Sequence, residues 1–473
     1  MQYEFVAQGS NDVWRTFNPA RPSEEVGRYG VVPPGGLAAL VERARSAQAE
    51  WARVPDVERG LVVGRFLDAV TEHADRIAEA VTAEQGKILA EAKAETLKGV
   101  AEGRFMCGEA ARVGGSAAGS ARPQVRNLIL RRPRGVVVAI CPWNFPAMTP
   151  LRKLCPALVF GNAMIMKPSQ FTPAAAFLLA EIARPLFPND LFQIAVCGGA
   201  QAGELIAMDG VDAVSFTGSV ETGRKVYAAA ASNLIPVQLE LGGKNAAVVN
   251  DSDDLDGCLD AITGAALMTA GQRCTAISRV LVRDELGDAV VEGLAERTQA
   301  VRLGDGMHPQ TTMGPLCNEP HLRSVEAMTA RAIEEGAKAV AGGAAAVAED
   351  CEGGYFYQPT VLDGVAPQST GGCEEIFGPV ISVIRYRDFD EAMEILNGTP
   401  FGLTSCLFSD SNRLVQRFLN ESRNGMLHVN HGSVPDINMP FGGIKHSGVG
   451  PYSVGASASQ VYTTEHAAYI GWN

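Results

Sequence analysis

The chain has 473 residues, 46% of them hydrophobic and 20% charged, with a formal net charge of −13 and a pI near 5.1. That length predicts two or three domains around a large buried core, and the acidic balance argues against nucleic acid, because gripping a phosphate backbone takes a basic face. Ten cysteines without a C-x-x-C pair and seven histidines without metal spacing exclude a disulfide scaffold and a histidine–cysteine metal centre, and predict reduced thiols in a cytoplasmic protein with no metal.

In chain order, Met1 to Ser10 has neither the basic n-region nor the apolar h-region of a secretory signal. The stretch around 40–110 reads as a long, interrupted helix, polar outside, that packs on the first α/β unit. Val125 to Arg132 alternates weakly and reads as a half-exposed antiparallel strand. From about residue 130 a rhythm sets in of short apolar run, Gly/Pro/Asn turn and helix. Strands are expected at Val136 to Ile140, Ala163 to Met166, Phe192 to Val196, Ala213 to Phe216 and Val237 to Leu239, with helices near 147–159, 173–186, 201–208 and 220–231. Strands in such alternation with helices predict a parallel, doubly wound sheet. The longest apolar runs, such as Gly135 to Cys141, fall far short of the roughly 20 residues that cross a bilayer, so no membrane partner is expected.

The pattern then restarts. Leu255, Leu259, Ile262 and Ala266 fall on one helix face, after an acidic start at Asp251, Asp253 and Asp254 and before a stop at Gly271. Strands at 280–282, 380–386 and 403–408 and helices near 285–299, 320–335, 388–397 and 411–420 complete a second α/β unit. Ser459 to Tyr469 reads as another half-exposed strand. With Val125 to Arg132 it fits neither unit, and exposed strand edges invite cover from a partner subunit.

Chemistry is sought at the ends of the buried strands, where α/β sheets carry functional groups. No G-x-G-x-x-G or Walker-type motif occurs. Ser215-Phe216-Thr217-Gly218-Ser219, followed by Gly223, is a strand-to-helix turn that suits a pyrophosphate or simply joins two elements. Glu240 ends an apolar strand before Gly242-Gly243; it is a functional carboxylate or the ion-pair partner of Lys244. Asn144, in Pro142-Trp143-Asn144-Phe145-Pro146, is an amide placed to donate to an oxyanion or a turn residue between prolines. Cys274 stands in Gly271-Gln272-Arg273-Cys274-Thr275, after a helix C-terminus that gives a thiolate no dipole support.

Read together and in order, Pro-Trp-Asn-Phe-Pro, Lys167-Pro168-Ser169, Phe216-Thr217-Gly218-Ser219, Glu240-Leu241-Gly242-Gly243-Lys244, Gly271-Gln272-x-Cys274, Glu375-Ile376-Phe377-Gly378-Pro379 and Pro440-Phe441-Gly442-Gly443 resemble the aldehyde dehydrogenase superfamily, from about residue 10 to the C-terminus. The resemblance implies a Rossmann-like cofactor-binding domain over 1–114 and 134–242, an α/β catalytic domain over 243–456, and a small β oligomerisation arm from 115–133 and 457–473, in a homodimer or homotetramer. It implies oxidation of an aldehyde to the acid with NAD or NADP. In that reading Cys274 is the nucleophile, Asn144 and the Cys274 N–H form the oxyanion hole, and Glu240 is the base that hydrolyses the thioester.

On the cofactor side the same resemblance implies that Lys167, with Ser169 and Gln170, holds the adenosine ribose. Gly218 and Ser219, with Gly223, form the pyrophosphate-binding turn, and Leu241 also contacts the cofactor. Glu375 holds the nicotinamide ribose, and Phe377 and Trp143 flank the ring. Gln170 departs from the Glu frequent in NAD-preferring members; a neutral amide tolerates a 2′-phosphate that a carboxylate repels, which suggests NADP acceptance. Arg273, Thr275, Ile277, His431 and the loop Val429 to Met439 are expected to line the aldehyde tunnel. Gly-Gln-Arg-Cys-Thr-Ala resembles semialdehyde dehydrogenases, where Arg273 either anchors a distal carboxylate or serves the protein's own acids. Two competing readings are a CoA-acylating relative, which needs no base at 240, and a non-catalytic member of the fold, which would be expected to have lost Cys274, Glu240 or Asn144.

Overall fold

The computed structural model describes residues 3–6 and 12–472. Part of the Met1 to Ser10 segment therefore lies outside the described residues. The fold is α/β, and two sheets with separate hydrophobic cores carry most of the chain.

The first sheet has six strands in the spatial order Gly448–Val449, Val237–Glu240, Ala213–Thr217, Val136–Ile140, Ala163–Lys167 and Phe192–Ile194. All pair in parallel except the short Gly448–Val449, which runs antiparallel and sets Gly448 opposite Glu240. Every residue of Val136–Ile140 is buried, as a central parallel strand with helices on both faces requires. Those helices include Met148–Val159, Ala174–Ala183, Gly199–Ile206 and Val220–Ala231.

The stretch around 40–110 is four helices rather than one interrupted helix: Gly36–Trp51, Asp56–Glu72, Ala74–Gln85 and Leu89–Glu109. Pro55 precedes the second, and the third stops at Gly86 in the left-handed region (φ 94°). A side chain at Gly86 would also strike Pro315 and Pro19 at 2.7 and 2.8 Å, so glycine is needed there twice over.

The second sheet has seven strands in the order Lys338–Ala341, Thr360–Asp363, Val380–Tyr386, Arg279–Arg283, Ala246–Asp251, Thr404–Ser409 and Met426–Val429, parallel but for the first. Ala246–Asp251, which sequence reading passed over, is an interior strand between Arg279–Arg283 and Thr404–Ser409. The N-terminal sheet of Tyr3–Phe5, Arg21–Gly30 and Val13–Asn18 was likewise not expected. The two orphan segments do meet: Val125–Pro133 pairs antiparallel with Thr463–Gly471 along its whole length, and Gly115–Ala118 adds a third strand. The strand expected from Ser459 begins only at Thr463, because Ser459–Tyr462 forms a helical turn.

Candidate active site

The C-terminal ends of strands Val136–Ile140, Ala213–Thr217 and Val237–Glu240 and the turn before Arg279–Arg283 converge on one cavity of about 660 Å³. Asn144, Glu240 and Cys274 all line it, together with Trp143, Gly218, Ser219, Leu241, Glu375, Phe377, Arg273 and Thr275. Eleven of the residues given a site role from sequence are thus in one place.

Asn144 follows the buried strand through Pro142 and is itself 6% exposed. Its side-chain Nδ2 donates to the Gln272 carbonyl at 2.9 Å, which ties the strand end of the first sheet to the cysteine segment. An amide nitrogen has two hydrogens, so one remains for a second acceptor. The Asn144 carbonyl accepts from Lys87 Nζ at 2.7 Å. Lys87 is also ion-paired with Glu95 and stands 4.0 Å from the Phe145 ring. Glu95 accepts in turn from the Ala147 and Met148 N–H groups (2.8 and 3.1 Å) at the start of helix Met148–Val159. Sequence reading missed this buried clamp, since neither Lys87 nor Glu95 sits in a motif.

Cys274 is reached through a sharp turn. Helix Leu255–Leu267 ends four residues before Gly271, and Thr269, Ala270 and Gly271 are all left-handed (φ 58°, 54° and 70°). At Gly271 a side chain would collide with the Gly378 carbonyl. The strained turn costs free energy at its two non-glycine residues and is held from outside: Thr269 N–H donates to Glu91 at 3.0 Å. The buried Gln272 side chain bonds the Thr269 carbonyl (3.0 Å) and accepts from Cys317 N–H (2.9 Å). Asn245 Nδ2 donates to the carbonyls of Cys274 and Ala276 (2.7 and 2.8 Å), and Ser433 Oγ donates to that of Thr275. Every carbonyl around the cysteine is fixed, so its backbone N–H points where this frame directs it.

Burial pushes the Cys274 thiol up to about 12; nearby Glu240 adds to the rise, while Arg152 and Arg273 oppose it. Burial also raises the Glu240 carboxyl, against the pull of Arg152, Lys153 and a Ser453 hydrogen bond. Glu240 is not the ion-pair partner of Lys244. The Lys244 ammonium is buried without a hydrogen bond, drawn down to about 7 by burial, and the carboxylate that acts on it most is Glu375. Arg152, which sequence reading did not single out, lines the cavity with its guanidinium bidentate to Glu102 (2.8 Å twice) and 4.3 Å from the Phe441 ring.

The other half of the cavity suits a dinucleotide. Ser219 caps helix Val220–Ala231 by accepting from Thr222 N–H (3.3 Å), and Gly218 lies just before it, its own N–H on the Glu240 carbonyl (3.0 Å). Gly223 is buried in the first turn of the same helix. Glu375 accepts from Gly243 N–H at 2.7 Å and burial raises it to about 7. Trp143 and Phe377 meet edge to face with centroids 5.5 Å apart. Phe377 is left-handed (φ 58°), and His321, a residue without any sequence signal, donates from Nε2 to its carbonyl at 2.9 Å. His321 is 5.1 Å from Trp143 and is drawn down to about 4 by burial, so it stays neutral. A buried carboxylate beside bare glycine backbone, an aromatic wall and a helix N-terminus fit a ribose, a nicotinamide ring and a pyrophosphate.

Six of the expected residues lie outside the cavity lining. Gly223 was placed above. Lys167 ends its strand, its ammonium 5.7 Å from the Trp14 ring. Ser169 is buried and accepts from Phe171 N–H (3.3 Å), and Gln170 is exposed beside it. Lys167 closes, and Ser169 and Gln170 follow, the strand that pairs with Val136–Ile140, one step along the sheet. His431 is exposed and faces His428 (3.4 Å between Nδ1 and Nε2) rather than the cavity; from its loop Val434 and Pro435 reach the lining instead. Ile277 is buried in the second core.

The profile of the aldehyde dehydrogenase family matches residues 5–467. The chain is 34% identical over 473 residues to alpha-ketoglutarate semialdehyde dehydrogenase of Haloferax volcanii, covering 98% of this chain and 97% of that one. It is 36% identical over 450 residues to betaine aldehyde dehydrogenase of Cereibacter sphaeroides, covering 95% and 92%. Among solved structures it is similar to 3,6-anhydro-L-galactose dehydrogenase in complex with NAP (TM-score 0.95, 31% identity, 100% of both chains). It is also similar to betaine aldehyde dehydrogenase of Staphylococcus aureus in complex with NAD+ (TM-score 0.94, 29% identity, 98% and 92%).

Proposed function

The chain belongs to the aldehyde dehydrogenase family and oxidises an aldehyde to the carboxylic acid with NAD(P); from that premise we propose that its substrate is a semialdehyde and that Cys274, Asn144 and Glu240 carry the reaction. The observation that supports the assignment is the joint presence of these three side chains on one cavity wall, with Asn144 bonded to the cysteine segment.

Cys274 Sγ attacks the aldehyde carbon, and the thiol proton leaves through solvent in the cavity. The oxyanion accepts from the free hydrogen of Asn144 Nδ2 and from the Cys274 N–H. NAD(P)+, held by the residues named below, would supply the hydride acceptor when bound. Glu240 then takes a proton from water, hydroxide adds to the thioester carbon, and the sulfur departs as the acid forms. A carboxyl group raised by burial is a stronger base once ionised, and Arg152 and Lys153 pull against the rise. Glu240 beside Cys274 favours this hydrolytic route over transfer to CoA and over a non-catalytic role.

Gly218, Ser219 and Gly223 would hold the pyrophosphate, Glu375 the nicotinamide ribose, Trp143 and Phe377 the ring, and Lys167, Ser169 and Gln170 the adenosine ribose, with Leu241 lining the cofactor half of the cavity. The neutral, exposed Gln170 leaves room for a 2′-phosphate. Arg273 and Thr275 face the aldehyde's far end. Arg273 bonds no carboxylate among the described residues, which supports an anionic substrate and disfavours a cationic one such as a betaine aldehyde. His431 reaches the substrate only through the loop it belongs to. The reading divides the chain into cofactor-binding (1–114, 134–242), catalytic (243–456) and oligomerisation (115–133, 457–473) parts of a homo-oligomer. No helix of the described residues is long and apolar enough to cross a membrane. Ten free thiols suit the cytoplasm.

The test is a panel of aliphatic, aromatic and carboxylated aldehydes with NAD and NADP, followed near 340 nm without CoA. The expected outcome is acid formation fastest with a carboxylated aldehyde, and kcat/KM for NADP within about a hundredfold of that for NAD. Cys274→Ala abolishes turnover while dinucleotide binding persists. Turnover surviving in that variant defeats the mechanism, and a larger NAD preference defeats the cofactor reading alone.

A further inference from the structure

The cavity wall that includes Met268, Val434 and Pro435 also carries three cations, of which one is neutralised. Arg152 has its bidentate carboxylate in Glu102. Arg273, 6% exposed, bonds only neutral acceptors: the Thr275 hydroxyl at 3.1 Å, the Met268 sulfur at 3.4 Å and the Ala265 carbonyl at 3.5 Å. Glu91 is the one carboxylate acting on it, and an oxygen of Glu91 is committed to Thr269 N–H. The third cation is Lys98, on helix Leu89–Glu109, whose Nζ donates to the Pro435 carbonyl at 2.7 Å across the cavity wall. Glu102 and Asp436 attract it and Arg152 and Arg273 repel it, yet neither acid forms an ion pair with it, and burial is the largest influence on its ammonium.

An ammonium has three N–H groups, and Pro435 takes one. A guanidinium has five in a fork shaped for a carboxylate. A buried guanidinium and a half-buried ammonium that act on each other and share no acid are each under-compensated, and a charge in that state is stabilised by an incoming anion. We propose that Lys98 and Arg273 form a two-cation site for the distal carboxylate of the substrate, in which Lys98 is a specificity-determining residue. The proposal rests on the semialdehyde reading and adds to it a second contact, from helix Leu89–Glu109.

The experiment compares 4-oxobutanoate with butanal, which has the same carbon count and no carboxylate, and measures inhibition by glutarate as a non-reacting dianion. The wild-type enzyme prefers 4-oxobutanoate. Lys98→Met lowers that preference by at least about tenfold, chiefly through KM, and weakens glutarate inhibition to a similar degree, while Lys98→Arg restores most of both. Lys98→Gln, which keeps a donor to Pro435 without the charge, gives the same loss and covers the case in which the methionine variant does not fold. Equal losses on both aldehydes, or an unaltered preference and glutarate inhibition, overturn the role of Lys98. A preference that disappears in Arg273→Met but persists in Lys98→Gln overturns Lys98 and leaves the semialdehyde reading intact. A wild-type enzyme with no preference removes that reading and the two-cation site with it.

Discussion

Around the Cys274 sulfur, Glu240 and Glu375 push the thiol up while Arg152 and Arg273 pull it down, and burial, the largest influence, leaves it near 12. The sign of the consequence is fixed. Below its pKa a thiol's reactive thiolate fraction grows about tenfold per pH unit, so the enzyme without cofactor should react with iodoacetamide at a rate that climbs through pH 7–9 without levelling. A plateau near pH 8 in the rate of Cys274 labelling, read by mass spectrometry, would show that the two arginines outweigh burial. Cys274, Glu240 and Asn144 were legible in the sequence because each sits in a short motif at a strand or helix end. Arg152 and Lys98 were not, because their importance lies in which acids they do and do not meet, and Glu102 is 50 residues from Arg152.

Among the elements, the turn Pro142 to Pro146 shows how a loop acquires a rigid geometry. Prolines restrict its backbone, but its position comes from Lys87 and Glu95, both fully buried and 57 and 52 residues away from the groups they bond. Removing one partner of a buried ion pair leaves the other uncompensated, at a cost of about 3–5 kcal/mol. Lys87→Met should therefore lose about that much stability in denaturant unfolding, and kcat should fall as Asn144 loses its carbonyl anchor. A destabilised variant with wild-type kcat would mean that the Gln272 bond alone positions the amide. The buried strands of the first sheet were readable as apolar runs between turn residues. Ala246–Asp251 was not, since its four apolar residues follow directly on Gly-Gly-Lys-Asn and resemble a connection; only its neighbours on both sides make it an interior strand. Arg21–Gly30 has no apolar alternation at all. It is held by pairing with Val13–Asn18 and by Tyr29, whose hydroxyl donates to buried Glu84 at 2.6 Å.

At the scale of the whole molecule, the three-stranded sheet of Thr463–Gly471, Val125–Pro133 and Gly115–Ala118 stands apart from both cores. The sequence marked two of its strands as belonging to neither unit, and that reading followed from weak alternation without a buried face. Gly115–Ala118 is exposed along its length, and Tyr469 and Trp472 are 67% and 57% exposed at the other edge. A small sheet with open edges and large apolar side chains in water has little to stabilise it alone; in the homo-oligomer proposed above, a second copy of the chain would supply both an edge and an apolar cover. Sedimentation should therefore give a mass at a multiple of 49.9 kDa, and Tyr469→Lys with Trp472→Lys should shift the enzyme towards the monomer, since lysines on a sheet edge oppose pairing. The cavity lies on other elements, so the monomeric variant should still bind the dinucleotide. A wild-type protein that sediments as a monomer at micromolar concentration would leave those two aromatic residues without a partner and refute the assembly.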